Sequence, residues 1–131
     1  MIVIDTSALI AILFAEPDRG TFENVIAGGE RCVMSAVNAH ETATVLRVRN
    51  GAAAVEKLWL LLADIDIEIV PFDEAQVRAA ALAFDLYGKG INPKARLNLS
   101  DCAAYALAKT LNAPLLFKGD DFTHTDVQSP L

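Results

Sequence analysis

The stretch Ile2-Val3-Ile4-Asp5-Thr6-Ser7, with the apolar run Ala8 to Ala15 behind it, decides the fold. Ile2 to Ile4 are an uninterrupted apolar triplet and read as a short buried strand. Asp5, Thr6 and Ser7 then turn the chain into an apolar helix that fades near Pro17. The chain thus begins strand, turn, helix.

The alternation continues outward from this start. Thr21 to Ala27 predict a second helix, stopped by Gly28 and Gly29, and Arg31 to Met34 a second strand. Ser35 is placed to cap a helix running to about Arg49, with Asn50 and Gly51 as its stop. Ala52 to Leu62 are helical in pattern. Ile65, Ile67 and Ile69 then alternate with Asp64, Asp66 and Glu68, the period-two pattern of a strand with one wet face. Asp73 and Gln76 have the spacing of a capping box for a helix to Tyr87, and Gly88 to Leu99 is expected to be a loop. A last helix from Ser100 to Leu111 stops at Asn112 and leads to a strand at Leu115 to Phe117 and a turn at Gly119, Asp120 and Asp121.

Strands separated by helices throughout residues 1–131 predict an α/β fold, one domain whose central parallel sheet is flanked by helices, because parallel neighbours need crossover connections. No internal repeat or low-complexity linker interrupts it. In such sheets ligands gather beyond the carboxyl ends of the strands, and Asp5 and the Asp120/Asp121 pair each directly follow a predicted strand.

Composition narrows the class. At 131 residues, 53% hydrophobic and 21% charged, the chain is large enough to bury a core and too apolar to be disordered, with apolar residues to spare for a subunit interface. The longest apolar runs, such as Leu58 to Ala63, fall well short of the roughly 18 residues that span a bilayer. Nothing after Met1 resembles a basic leader or a cleavage site, so a soluble cytoplasmic protein is expected. Cys32 and Cys102 lie in neither a redox nor a zinc spacing and read as reduced core thiols.

The net charge of −6 argues at first against a nucleic-acid partner, since affinity for polyphosphate comes from Lys and Arg. Setting aside Asp5, Glu41, Asp101, Asp120 and Asp121 leaves twelve of the 17 acids against 11 bases, so much of the excess fits one cation-binding site.

Glu41 is the most informative of these acids. Val37 and Val45 lie one turn to either side and Val48 beyond, which places a carboxylate on an apolar helix face where an unpaired charge is costly. Asp101 repeats the pattern with Ala104, Tyr105 and Ala108, and its first-turn position lets the helix dipole favour the charged form. No basic residue sits at the matching turn of either helix. Mg²⁺ or Mn²⁺ prefers such hard oxygen donors, and two ions about 4 Å apart can activate a water and stabilise the leaving oxygen of a phosphodiester. Each acid alone also admits a plainer role: Asp5 as a helix cap, Asp101 as a first-turn acid, Asp120 or Asp121 as a turn residue. Asp64, Asp66 and Glu68 are a solvated strand face.

Other patterns fall away. His40-Glu41 has Thr44 where a zinc-protease helix needs a second His, and His124 reads as a surface residue. An aspartyl phosphatase would place an acid at Ser7, and there is no phosphate-binding glycine loop. Lys89, Lys94 and Arg96, in the loop before Asp101, either contact an RNA backbone or form a solvated basic loop.

With these residues in place, the chain resembles the PIN-domain ribonucleases, specifically the VapC-type toxins of bacterial toxin and antitoxin pairs. The resemblance rests on IVIDTSALIAIL (Ile2 to Leu13), SAVNAHETATVL (Ser35 to Leu46), ARLNLSDCAAYALAK (Ala95 to Lys109) and LLFKGDDFTHTDV (Leu115 to Val127), in that order. It implies a PIN-like fold, an endoribonuclease dependent on Mg²⁺ or Mn²⁺, inhibition by a cognate VapB-like antitoxin, and a homodimer. It puts the family's acids at Asp5, Glu41, Asp101 and either Asp120 or Asp121, with Thr6 or Ser7 supporting them through hydroxyl hydrogen bonds. A noncatalytic interaction module on the same fold is the rival reading.

Overall fold

In the computed structural model, which describes residues 1–131, the strands alternate between two cores. Ile2 and Ile4 of β1 (Ile2–Ile4) enter one and Val3 the other; Cys32 and Met34 of β2 (Cys32–Ser35) separate from Val33 in the same way, and Leu116 from Leu115 in β4 (Leu115–Leu116). Strands buried on both faces must be apolar throughout, which is why the sequence shows runs there rather than alternation.

With β3 (Ile67–Val70) these strands form one parallel sheet in the order β3-β2-β1-β4. Each crossover carries two helices. α1 (Thr6–Leu13) and α2 (Arg19–Ala27) join β1 to β2, and α3 (Ala36–Asn50) and α4 (Ala52–Asp64) join β2 to β3. α5 (Glu74–Tyr87) and α6 (Leu99–Thr110) lead back to β4. Leu9, Leu46 and Leu58 from the first four helices fill one core, whereas Ala83, Cys102, Tyr105 and Leu107 from α5 and α6 fill the other. The chain steps outward from β1 to β3 and returns on the free side of β1. The strand order therefore reverses beside β1, where a crevice opens at the carboxyl ends. Asp5 sits at that point, its backbone N–H donating to the Leu116 carbonyl of β4 at 2.9 Å.

Most elements fall where the sequence puts them, with informative exceptions. The first helix stops at Leu13 rather than near Pro17, because Ala15 already has φ +50. The alternation from Asp64 to Ile69 is not one strand: α4 continues through Asp64, Ile65 closes it, and Asp66 turns at φ +55 before β3 begins. Asp64, Asp66 and Glu68 are exposed as expected, but so is Ile69, since β3 is the sheet's edge. Asp73 caps α5 by accepting the Gln76 N–H at 3.0 Å; the reciprocal half of the box is missing, and the Gln76 Oε1 is buried without a partner. The last helix starts one residue early, capped by Asn98, and β4 ends at Leu116. Cys32 and Cys102 are buried and unpaired. No helix is long and apolar enough to cross a membrane.

Candidate active site

Two helix starts, the second turn of α3 and the turn after β4 carry the acids. Asp5 is the N-cap of α1, an extended residue whose side chain accepts the Ser7 N–H at 3.0 Å and the Ser7 hydroxyl at 2.5 Å, both on Oδ2. Its Oδ1 is buried and has no partner. Asp101 is in the first turn of α6, where its Oδ2 accepts the Asn98 N–H at 3.0 Å while the Asn98 side chain accepts the Asp101 N–H at 2.9 Å. This reciprocal pair is a capping box. Glu41 lies one turn into α3 and receives the Ser100 hydroxyl on Oε2 at 2.5 Å.

The reason the sequence offered for Glu41 is corrected. Val48 is 80% exposed, and the buried stripe of α3 is Asn38, Ala39, Thr42 and Leu46. Asn38 of that stripe reaches the Ser100 carbonyl of α6, and Glu41 stands half-buried at the rim. Asp101 is partly buried on a helix whose residues from Cys102 to Ala108 are all buried, as its apolar neighbours indicated.

Burial and neighbouring charge both act on two of these acids. Burial, opposed by the Ser7 hydrogen bonds and reinforced by Asp101 and Glu41, pushes the Asp5 carboxyl up to about 7. Burial also raises Asp101 to about 6, against the Asn98 N–H and with help from Glu41 and Asp121. Asp121 thus belongs to the repelling group. Asp120 adds to neither shift; it precedes the short 3-10 helix Asp121–His124, and its backbone carbonyl accepts the Thr123 N–H at 3.0 Å. No lysine or arginine pairs with Asp5, Glu41, Asp101, Asp120 or Asp121.

The donor set suits a hard divalent cation. It is all oxygen, and the orphaned Oδ1 of Asp5 is a buried atom that an ion would satisfy. Asp5, Glu41 and Asp101 each give one oxygen to a protein donor and keep the other free of one. As the side chains stand, no three carboxylates converge at coordinating distance.

The two predicted hydroxyls part company. Ser7 touches a carboxylate, whereas Thr6 donates to the Asn38 carbonyl at 3.2 Å and accepts from its side chain, tying α1 to α3. Lys89, Lys94 and Arg96 are exposed, lack salt-bridge partners and sit on the loop that ends at Asn98. His40 and His124 are exposed. A cavity of about 410 Å³ between Ile12, Ile26, Leu61 and Ile65 lies away from Asp5, Glu41, Asp101, Asp120 and Asp121, none of which lines it.

Sequence reading missed three residues. Asn38, fully buried, donates from its side-chain amide to Thr6 Oγ1 at 3.3 Å and to the Ser100 carbonyl at 3.1 Å. Ser100 holds Glu41, and Asn98 holds Asp101. Only Asn98 had a signal, its cap-to-third-position spacing from Asp101.

Comparison with known proteins bears on this arrangement. A family model described as the PIN domain matches residues 2–128. Ribonuclease VapC30 of Mycobacterium tuberculosis is 45% identical over 127 residues, 95% of each chain. A ribonuclease VapC of Mycolicibacterium smegmatis is 46% identical over 125 residues, 95% of this chain and 96% of the relative. Among solved structures, the sarcin-ricin loop cleaving toxin VapC20 of M. tuberculosis superposes with TM-score 0.76 at 16% identity, covering 97% of this chain and 96% of its own. VapBC2 of Rickettsia felis, bound to a promoter DNA fragment, gives 0.74 at 19%, over 98% and 96%.

Proposed function

The chain belongs to the PIN-domain family and, within it, to the VapC ribonucleases, and we propose that it is an endoribonuclease whose acid cluster works with Mg²⁺ or Mn²⁺. The observation that carries the metal reading is the buried Asp5 carboxylate oxygen with no partner, on a side chain that feels the charges of Asp101 and Glu41 and is paired with no basic residue.

In this reading Asp5, Glu41, Asp101 and Asp121 hold the ions, and Asp120 stays outside the cluster. Bound there, one or two ions would supply positive charge against the scissile phosphate and a more acidic attacking water. The protein's own part is positional. Ser7 and the Asn98 N–H each fix one oxygen of Asp5 and Asp101, so the other oxygen of each would be held ready for an ion in a set orientation. Lys89, Lys94 and Arg96 would track the backbone of a transfer RNA or another structured RNA beside the site.

A VapB-like antitoxin is the inhibitory partner in this proposal, in keeping with the VapBC complex among the similar structures. The whole chain, residues 1–131, acts as one domain in the cytoplasm. A homodimer completes the reading: Val77, Phe84 and Leu99 are exposed around an all-apolar groove of about 270 Å³, a face suited to a second copy.

Cleavage of an end-labelled transfer RNA pool by antitoxin-free protein tests the proposal. Discrete products with Mg²⁺ or Mn²⁺ that vanish with EDTA and in Asp5→Asn support it. Folded protein that cleaves no RNA class under these conditions would instead be a noncatalytic module.

A further inference from the structure

Ser100 is 7% exposed and is held to α3 from two directions. Its carbonyl accepts from the Asn38 side chain at 3.1 Å, and its hydroxyl lies 2.5 Å from Glu41 Oε2. Asn38 and Glu41 are three residues apart on α3, hence neighbours on its surface. The backbone and side chain of one α6 residue therefore grip successive turns of α3.

The hydroxyl has one proton and two acceptors in reach, Glu41 Oε2 and the Asn98 Oδ1 at 3.0 Å. Asn98 Oδ1 already receives the Asp101 N–H at 2.9 Å. The hydrogen bond to Glu41 is the shorter of the two, and Asn98 Oδ1 already has a donor, so the proton belongs to Glu41. Glu41 is a long side chain at a half-exposed rim, and no other side chain or backbone group donates to it. Ser7 does the same for Asp5 from within Asp5's own helix start, but the donor to Glu41 comes from a different helix. Without that donor, Glu41 would be free to swing into solvent.

We propose that Ser100 is a positioning residue for the metal site. Its hydroxyl holds Glu41 Oε2, leaves Oε1 for the ion, and couples the Glu41 helix to the helix that carries Asp101. This rests on the metal reading given under Proposed function.

The test is Mn²⁺ affinity measured by electron paramagnetic resonance of free ion, alongside thermal melting without metal. Ser100→Ala is expected to weaken Mn²⁺ binding about 10-fold, the usual scale for a residue that orients a ligand. Ser100→Thr, which keeps the hydroxyl, is expected to restore most of it. In a Glu41→Gln background, Ser100→Ala should change the affinity no further, because the group it positions no longer acts. Ser100→Cys, with similar volume and a weaker donor, repeats the measurement if the alanine variant melts too low. Unchanged Mn²⁺ affinity in folded Ser100→Ala or Ser100→Cys, whatever the melting point, overturns the proposal and leaves the metal reading standing. Wild-type protein that binds no Mn²⁺ overturns both.

Discussion

The Ser7 hydroxyl donates to Asp5 Oδ2 at 2.5 Å and at the same time accepts the Lys118 backbone N–H at 2.9 Å. One small side chain thus links the end of β1 to the segment after β4 and fixes which Asp5 oxygen stays free. Removing it takes a stabilising hydrogen bond from the charged carboxylate, so the Asp5 carboxyl, already at about 7, should move further up. Ser7→Ala is therefore expected to weaken Mn²⁺ binding about 10-fold near neutral pH and to recover as the carboxyl ionises at higher pH. Mn²⁺ titrations at two pH values check this. A loss of affinity independent of pH would point to a disturbed backbone instead.

Asp5→Asn should do two opposite things. It removes a charge from the proposed metal site, so cleavage should be lost, as it should in Asp101→Asn. It also removes a buried carboxylate that burial and its neighbours oppose. The folded-state value of about 7 lies above the ordinary 3.8, so between these values the folded protein binds more protons than the unfolded chain. Stability without metal should then fall as pH rises through that window and level off above it. Asp101, raised to about 6, adds to the same slope. Melting curves in EDTA should show wild type declining across the window and Asp5→Asn declining less. Added Mn²⁺ should raise wild-type melting most at the alkaline end, where protons no longer compete. A wild-type curve that stays flat would contradict the burial of Asp5 and Asp101 beside other acids.

The doubled acid of the Gly119-Asp120-Asp121 turn separates by the same reasoning. Asp121 raises Asp101 and Asp120 does not. Asp121→Asn is expected to lower the rate of cleavage by at least about 10-fold at fixed Mg²⁺, and Asp120→Asn to leave it near wild type. Rates for the two purified variants, each checked for folding, decide between them. The reverse ranking would assign the inward acid to Asp120.

The strands and the acids were legible in the sequence for different reasons. Ile2 to Ile4 and Leu115 to Leu116 announce themselves because a strand covered on both sides has no polar position to show. Asp5 and Asp101 stand out because they follow a strand or open an apolar helix. The sequence pattern around Glu41 is partly misleading, since its valine neighbours are not the buried stripe; the real stripe contains Asn38 and Thr42, which look polar and therefore exposed. Asn38 and Ser100 left no trace because their role depends on α3 meeting α6, an encounter between segments 62 residues apart. The false alternation at Asp64 to Ile69 arose where a helix end and an edge strand abut, two half-exposed structures that together mimic one wet-faced strand.

The basic loop supplies the last expectation. Lys89, Lys94 and Arg96 are exposed and have no acidic partner, whereas Lys109, Lys118 and Arg31 are paired with Asp126, Glu16 and Glu68. The loop is not slack: Asn92 Oδ1 accepts the Lys94 and Ala95 N–H groups at 2.9 and 3.0 Å, and Gly88 bridges to Leu97. If RNA runs past Asp101 as proposed, charges held on a braced loop that leads into the first turn of α6 would meet its phosphate backbone. Replacing Lys94 and Arg96 by Ala should weaken RNA binding and reduce the slope of log affinity against log salt by about 0.7 to 0.9 for each phosphate that the protein no longer neutralises. Binding measured over a salt series with Asp5→Asn protein, so that the RNA stays intact, reads both quantities. If affinity and slope are unchanged, the RNA lies elsewhere and the loop is only a solvated surface.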